Sequence, residues 1–305
     1  MTTKSWESFC IVGVGRHAKN ILIPALNENK QKISGLVTSK EHSGFGQIPI
    51  FKNLSSAIND LPSNTLFLIA SPPNIHYKQA KILAMKHRDI FIEKPLFLKT
   101  KQAEKLTSLC RKQGTIIIEG YMYKCTKLYK KFIADWRINN GKINSVNAKF
   151  IIPRNPSNTY RGNHINPSIT FFDIGCYIIS LLFDLNIKIN QKRFLKSFKI
   201  SKKMDIISFE GHNNKMQINF QIGIGKTYQN IVSFETDEGV QRSYWPFFYG
   251  RAASKYISIS KNKCLKTEAI LDINAFAKML KQKKNRCSKK TEGGNIKNYL
   301  CDLCS

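Results

Sequence analysis

The sequence is poor in acid. Its 305 residues carry 20 aspartates and glutamates against 49 lysines and arginines, a formal charge of +29. Arginine is scarce as well: only ten of those cations are arginine. Such a field attracts anions in general, among them phosphorylated cofactors, nucleotides and nucleic acid. The densest basic run, Lys278 to Lys290, holds no aromatic residue on which a base could stack, and no nucleic-acid-binding motif is present. That argues against specific nucleic-acid recognition and for a solvated basic surface. No apolar run approaches the length of a membrane span, and the first twenty residues lack a signal-peptide pattern. A cytoplasmic protein without a membrane partner is the expectation. The eight cysteines (positions 10, 110, 125, 176, 264, 287, 301 and 304) are scattered, several inside apolar segments, as reduced buried thiols are. Cys301 and Cys304 have metal-type spacing but no second ligand pair nearby, so no metal site is expected.

What is present is a hydrophobic content of 42%, ample for a core, in a length that suits two domains. Phe9-Cys10-Ile11-Val12 reads as a strand. Gly13-Val14-Gly15-Arg16-His17-Ala18 follows at once, then Ile21, Leu22, Ala25 and Leu26 at helical spacing. This is the dinucleotide fingerprint with alanine in the third small position. Gly13 serves the tight turn, Gly15 the close approach of backbone to a pyrophosphate, and Ala18 the packing of helix on strand. Arg16 and His17 lie where the positive helix end faces phosphates. Pro24 is expected to kink this helix.

Ile33 to Val37 reads as the second strand. An acid at its end would mark a free ribose diol. Thr38, Ser39 and Lys40 stand there instead, with Glu41 next. Two hydroxyls and an ammonium suit a 2′-phosphate, so NADP is favoured and NAD is possible. A short helix over 54–61 and a strand over 65–70 lead to Ser71-Pro72-Pro73-Asn74, where Asn74 can cap the next helix. His76 falls in the first turn of that helix, in reach of the cofactor cleft or as an ordinary capping or surface residue. Asp89-Ile90-Phe91-Ile92-Glu93-Lys94-Pro95 is a buried strand that delivers charge at its carboxyl end, the ligand side of a parallel sheet. A helix with Ala103, Leu106 and Cys110 on one stripe and a strand over 115–120 complete a doubly wound α/β domain over residues 1–122.

From residue 123 to 305 the pattern changes. Leu128, Phe132, Ile133 and Trp136 mark an amphipathic helix. Val146, Ala148, Phe150 and Ile152 alternate as a strand, as do Met216, Ile218, Phe220, Ile222 and Ile224, against polar Gln217, Asn219 and Gln221. A mostly antiparallel sheet with one wet face follows, in an α+β domain whose final helices span 271–280 and 296–304. Between the strands, Ile169, Phe172, Cys176, Ile179 and Phe183 suggest a helix stripe, with Asp173 and Tyr177 one turn apart on a neighbouring face.

Gly13-Val14-Gly15-Arg16-His17-Ala18, Glu93-Lys94-Pro95, Glu119-Gly120-Tyr121-Met122-Tyr123 and Asp173-Ile174-Gly175-Cys176-Tyr177 occur in that order. Together they resemble the Gfo/Idh/MocA oxidoreductase family, on its glucose–fructose oxidoreductase and dihydrodiol dehydrogenase side. The resemblance implies a Rossmann domain, a second domain whose open sheet makes a homodimer or tetramer, and hydride exchange between NAD(P) and a sugar-like alcohol or carbonyl. It implies catalytic roles for Lys94, Asp173 and Tyr177. A free phenol titrates near pH ~10 and is a poor base at neutrality, but a nearby ammonium lowers that value and polarises a carbonyl oxygen. Asp173 would orient substrate hydroxyls, and Glu93 would meet a cofactor ribose or brace the strand end. Lys124 stands where the family commonly has a basic residue, whereas Cys125-Thr126 and Asn166-Pro167-Ser168 depart from its pattern. Cofactor contacts are thus expected from Gly13, Gly15, Arg16, His17, Ala18, Thr38, Ser39, Lys40, Ser71, Pro72, Asn74, His76, Glu93 and Lys94. Substrate contacts are expected from Lys94, Tyr123, Arg161, Asp173 and Tyr177. Arg154, Arg161 and His164, with the overall charge, point to a nucleotide-linked or otherwise anionic sugar. A non-catalytic NAD(P)-binding sensor or scaffold is the alternative, and a nucleic-acid-associated protein a third reading that rests on charge alone.

Overall fold

The structure, a computed structural model, describes residues 6–40, 45–153, 170–187, 195–201, 204–213, 215–250, 253–260, 263–271 and 274–285. It divides into two compact units. The first comprises Met1–Tyr121 and the segment from Phe276; the second comprises Met122–Ala275.

The first unit is a parallel sheet of six strands: β1 (Ser8–Val12), β2 (Lys32–Val37), β3 (Ile50–Phe51), β4 (Thr65–Ile69), β5 (Ile90–Glu93) and β6 (Ile117–Gly120). They lie in the order β3-β2-β1-β4-β5-β6, every pair parallel. All residues of β1, β4 and β5 are buried, as continuous apolar runs between helical layers must be. The helices are α1 (Ile23–Glu28), α2 (Leu54–Asp60), α3 (Pro73–Met85) and α4 (Thr100–Gln113). Asn53 accepts a hydrogen bond from Ser56 N at the start of α2, and Gly114 ends α4 in the left-handed region at φ 63°. Asp89, 2% exposed, receives Trp6 Nε1 at 2.8 Å and Ile116 N at 2.9 Å. The buried carboxylate thereby ties the entry of β5 to its neighbours. Pro24 stands inside a continuous helical run: residues 16–17 are helical, a π turn spans Ala18–Leu22, and α1 follows at once with Leu22 and Ile23 both in helical conformation. A π turn beside a proline is a recognised way for a helix to accommodate the missing N–H and change direction.

The second unit opens with a 3-10 turn (Met122–Cys125) and α5 (Lys127–Ile138), capped by Thr126, whose hydroxyl receives Tyr129 N. Its sheet has eight strands: β7 (Ile143–Pro153), β8 (Leu195–Ser201), β9 (Met204–Asn213), β10 (Met216–Gly225), β11 (Gln229–Thr236), β12 (Val240–Trp245), β13 (Ala253–Ser260) and β14 (Lys263–Leu271). The order is β14-β13-β12-β11-β7-β10-β9-β8, and among the described residues β7 with β10 is the one parallel pair. The alternation read in β10 is present: Ile218, Phe220, Ile222 and Ile224 are buried, and Asn219 bonds across to Asn147 at 3.0 Å on the opposite face. Phe132 of α5 packs edge-on against Tyr244 and Phe247 at 5.1 and 5.0 Å between ring centroids, and Phe234 lies at 6.0 Å. Rings so buried each contribute roughly 1.5–3 kcal/mol, and edge-to-face pairs about 0.5–1.5 kcal/mol more.

The expected helix over 169–183 is a π turn (Phe171–Gly175) running into α6 (Cys176–Asp184). Its buried side is Phe171, Ile174, Tyr177, Ile178, Leu181 and Leu182; the expected stripe of Phe172, Cys176, Ile179 and Phe183 is half-exposed. The π turn shifts the phase of the helix, so Asp173 and Tyr177 face inward. The C-terminal helix α7 (Ala275–Asn285) also departs from expectation. It starts four residues later than expected, and from Phe276 it belongs with the first unit: Asn29 Nδ2 donates to Ala277 O at 2.7 Å. The helix expected over 296–304 lies outside the described residues, as do Cys287, Cys301 and Cys304.

Candidate active site

In the first unit the strand order reverses between β1 and β4, and the carboxyl ends there form the crevice in which an open parallel sheet binds its ligand. Gly13 leaves β1 at φ 95°, with its N–H donated to Val37 O at 2.9 Å. A Cβ on Gly13 would stand 2.6 Å from Ser71 N, so both its conformation and the space require glycine. Gly15 differs: a Cβ there meets no protein atom within 4 Å. Packing does not demand a glycine at that point, whereas close approach of a phosphate to backbone does. Ala18 is wholly buried, as its packing role requires, and Arg16 and His17 are exposed beside Gly15. A dinucleotide therefore fits this turn.

The other expected cofactor positions of the first unit differ in kind. Thr38 closes β2, its N–H on Phe51 O, and its hydroxyl receives Lys40 N at 3.2 Å. The resulting turn leaves Ser39 and Lys40 exposed. Glu41 lies outside the described residues. Pro72 and Asn74 are exposed and Ser71 half-buried. Asn74 is not the cap of α3: Pro73 starts that helix, with its φ already suited to a first turn. His76 sits behind the cleft rather than on it, 1% exposed, with Nε2 2.7 Å from Ser71 O and Nδ1 3.1 Å from Pro95 O. Burial pushes its pKa below the ordinary histidine value, against the pull of those carbonyls and of Glu93. Glu93, 7% exposed, ends β5; its Oε1 has no hydrogen-bond partner among the described residues and lies 3.6 Å from His17 Nε2. A buried carboxylate oxygen in that state suits a ligand hydroxyl or amide. Lys94 follows, half-buried, joined to Pro95 through a cis bond.

In the second unit Asp173 (8% exposed) and Tyr177 (3%) lie a turn apart on the inward side of the helix. The Tyr177 ring packs edge-on against Phe150 at 5.0 Å, beside Phe248 and Tyr123, and its hydroxyl is 3.7 Å from Met122 Sδ. Tyr123, expected to touch substrate, is wholly buried. Its hydroxyl donates to Tyr177 O at 3.5 Å, and burial, with Asp184 nearby, pushes its pKa well above the ordinary phenol value. It supports the Tyr177 helix from within. Lys124 pairs with Asp184 at 2.7 Å, and Tyr129 donates to the same carboxylate. Arg154, Arg161, His164 and residues 166–168 lie outside the described residues.

Two features had no signal in the sequence. Gln79 accepts a hydrogen bond from Ser71 Oγ, and Phe276 of α7 packs edge-on against His17 at 5.5 Å. The first is a contact across the start of α3, eight residues apart, and the second a long-range consequence of how α7 returns to the first unit. Among the described residues no group of three or more His, Cys, Asp or Glu could hold a metal, and no helix is long and apolar enough to cross a membrane.

Residues 8–121 match the Gfo/Idh/MocA group, described as an oxidoreductase family with an NAD-binding Rossmann fold. An uncharacterized oxidoreductase of Synechocystis sp. is 26% identical over 132 residues, 41% of this chain and 35% of that protein's own length. A 3-ketoreductase from Actinomadura kijaniata, KijD10, solved with NADP and TDP-benzene, superposes with a TM-score of 0.81 at 14% identity, over 98% of this chain and 95% of its own. An aldose–aldose oxidoreductase from Caulobacter crescentus, solved with glycerol, gives a TM-score of 0.80 at 14% identity and the same coverage. The shared fold thus extends through both units.

Proposed function

We propose, from the match of residues 8–121 to the Gfo/Idh/MocA oxidoreductase family with its NAD-binding Rossmann fold, that this protein is an NAD(P)-dependent dehydrogenase or reductase acting on a sugar or sugar-derivative alcohol or carbonyl. The observation that carries the reading is the Gly13–Gly15 turn at the reversal of strand order, with Lys94 delivered at the end of β5 in the same sheet. Gly13, Gly15, Arg16 and His17 would hold the pyrophosphate, and Thr38, Ser39 and Lys40 a 2′-phosphate. Glu93 would accept from a ribose hydroxyl or the carboxamide. NADP(H) is favoured over NAD(H) by Thr38, Ser39 and Lys40, which stand directly after β2 where an acid would meet a free ribose diol, with Glu41 next in sequence; the neighbour from Actinomadura was solved with NADP. The bound nicotinamide supplies or accepts the hydride.

The protein supplies the proton chemistry. Lys94 places an ammonium against the reacting oxygen, where it stabilises developing negative charge. Tyr177 is the proposed proton donor in reduction and proton acceptor in oxidation. Asp173 accepts hydrogen bonds from neighbouring substrate hydroxyls and fixes their orientation. The buried aromatic setting of Tyr177 holds its ring to one direction, which a proton donor needs. A nucleotide-linked or anionic sugar is the preferred substrate class. The net charge supports it, as does the nucleotide-type ligand of the Actinomadura neighbour. We assign the protein to the cytoplasm and its oligomer, a dimer or tetramer, to the open face of the second sheet.

The test is NADPH consumption against a panel of neutral, phosphorylated and nucleotide-linked keto sugars. Turnover is expected, and Lys94→Ala and Tyr177→Phe should each lower kcat by about 10²–10⁴ while NADPH still binds. Cofactor binding without turnover on any member of the panel would favour a sensor or scaffold instead.

A further inference from the structure

His76 joins two of the turns that the cofactor site needs. It occupies the first turn of α3, is 1% exposed, and both ring nitrogens face backbone carbonyls of separate segments. Nε2 is 2.7 Å from Ser71 O, in the turn after β4; Nδ1 is 3.1 Å from Pro95 O, in the turn after β5. Ser71 is the residue whose backbone lies against Gly13, and its hydroxyl is held by Gln79. Pro95 directly follows Lys94, and the chain beyond it is pinned where Leu96 N donates to Glu119 Oε1 at 3.2 Å. One imidazole thus spans the gap between the turn packed on the fingerprint and the turn that carries Lys94.

We infer that His76 is a positioning residue: it sets the Ser71 turn against the fingerprint glycines and, through Pro95, the direction from which Lys94 leaves the sheet. A neutral ring donates to one carbonyl at a time and a protonated ring to both; in either state its body fixes the separation of the two turns. Both ring nitrogens are taken up by these carbonyls and the side chain is 1% exposed, so its proposed action is through the two turns. The inference rests on the proposed function in so far as the Ser71 turn meets the dinucleotide.

Two conservative replacements separate the two links. In His76→Gln the side-chain amide reaches the place of Nε2 and keeps the link to Ser71; in His76→Asn it reaches the place of Nδ1 and keeps the link to Pro95. The full-length protein is titrated with NADPH by nicotinamide fluorescence, and Lys94 is followed by ¹³C NMR after reductive methylation, its signal assigned from Lys94→Arg. His76→Gln should bind NADPH within about twofold of the wild type and displace the Lys94 signal. His76→Asn should weaken NADPH about fivefold, the loss of one hydrogen bond, and leave the Lys94 signal near its wild-type place. Two unaltered readouts in both variants would overturn the inference. So would equal changes in both readouts that simply track a fall in melting temperature, which a purely structural histidine would give. If the wild type itself fails to bind NADPH, the proposed function fails, and the Lys94 signal still decides whether His76 positions that lysine.

Discussion

At the scale of single residues, the two fingerprint glycines separate fold from ligand. Gly13 has a positive φ, and a Cβ would press within 2.6 Å of the Ser71 backbone. Gly13→Ala is therefore expected to destabilise the protein by about 2 kcal/mol or more, read as a fall in melting temperature, because both the strained backbone and the clash oppose it. At Gly15 a Cβ meets nothing of the protein. Gly15→Ala should melt with the wild type and lose NADPH affinity, since only the bound phosphate would feel the methyl group. Equal melting losses in the two variants would place Gly15 in the packing of the fold instead. The need for glycine at position 13 was legible in the sequence because glycine directly after an apolar strand leaves few alternatives; the ligand role of Gly15 is what its variant tests. The role of His76 was not legible: a histidine in a helix's first turn has the same local pattern whether it faces solvent or two carbonyls of distant turns.

At the scale of elements, Asp173 and Tyr177 depend on how closely their helix approaches β10. A Cβ on Gly175 would stand 2.8 Å from Ile222 Cδ1. Gly175→Ala should push the helix outward and, if Asp173 and Tyr177 act as proposed, lower kcat more than it raises KM. Ile222→Val removes that same terminal carbon, so the double variant should recover most of the activity. A double variant no better than Gly175→Ala would contradict this packing account. The strands β1, β2, β4 and β5 could be read from their apolar runs, and β10 from its unbroken alternation. The inward face of the Asp173 helix could not. The helix is apolar around most of its circumference, and the π turn moves its phase, so a 3.6-residue stripe loses its contrast. The parallel pairing of β7 with β10 has no local signature either, since the two strands are far apart in the chain.

At the scale of the whole molecule, two units and a net charge of +29 set the terms. The change of pattern near residue 122 was visible as alternating strands and helices gave way to a run of strands. The return of α7 to the first unit was not, because its contacts, Ala277 with Asn29 and Phe276 with His17, form only once the fold is complete. The charge draws anionic ligands toward the protein without choosing among them; in the proposed function the choice falls to short-range groups such as Thr38, Ser39 and Lys40. The most direct measurement of the central claim is a titration of the purified protein with NADPH and with NADH, followed by nicotinamide fluorescence at physiological salt. The account predicts saturable binding of both, with NADPH tighter by about tenfold or more, the contribution expected of charge-assisted bonds to one phosphate. NADH binding as tightly as NADPH would contradict the 2′-phosphate site at Thr38, Ser39 and Lys40, and binding of neither would contradict the dinucleotide crevice on which the whole account stands.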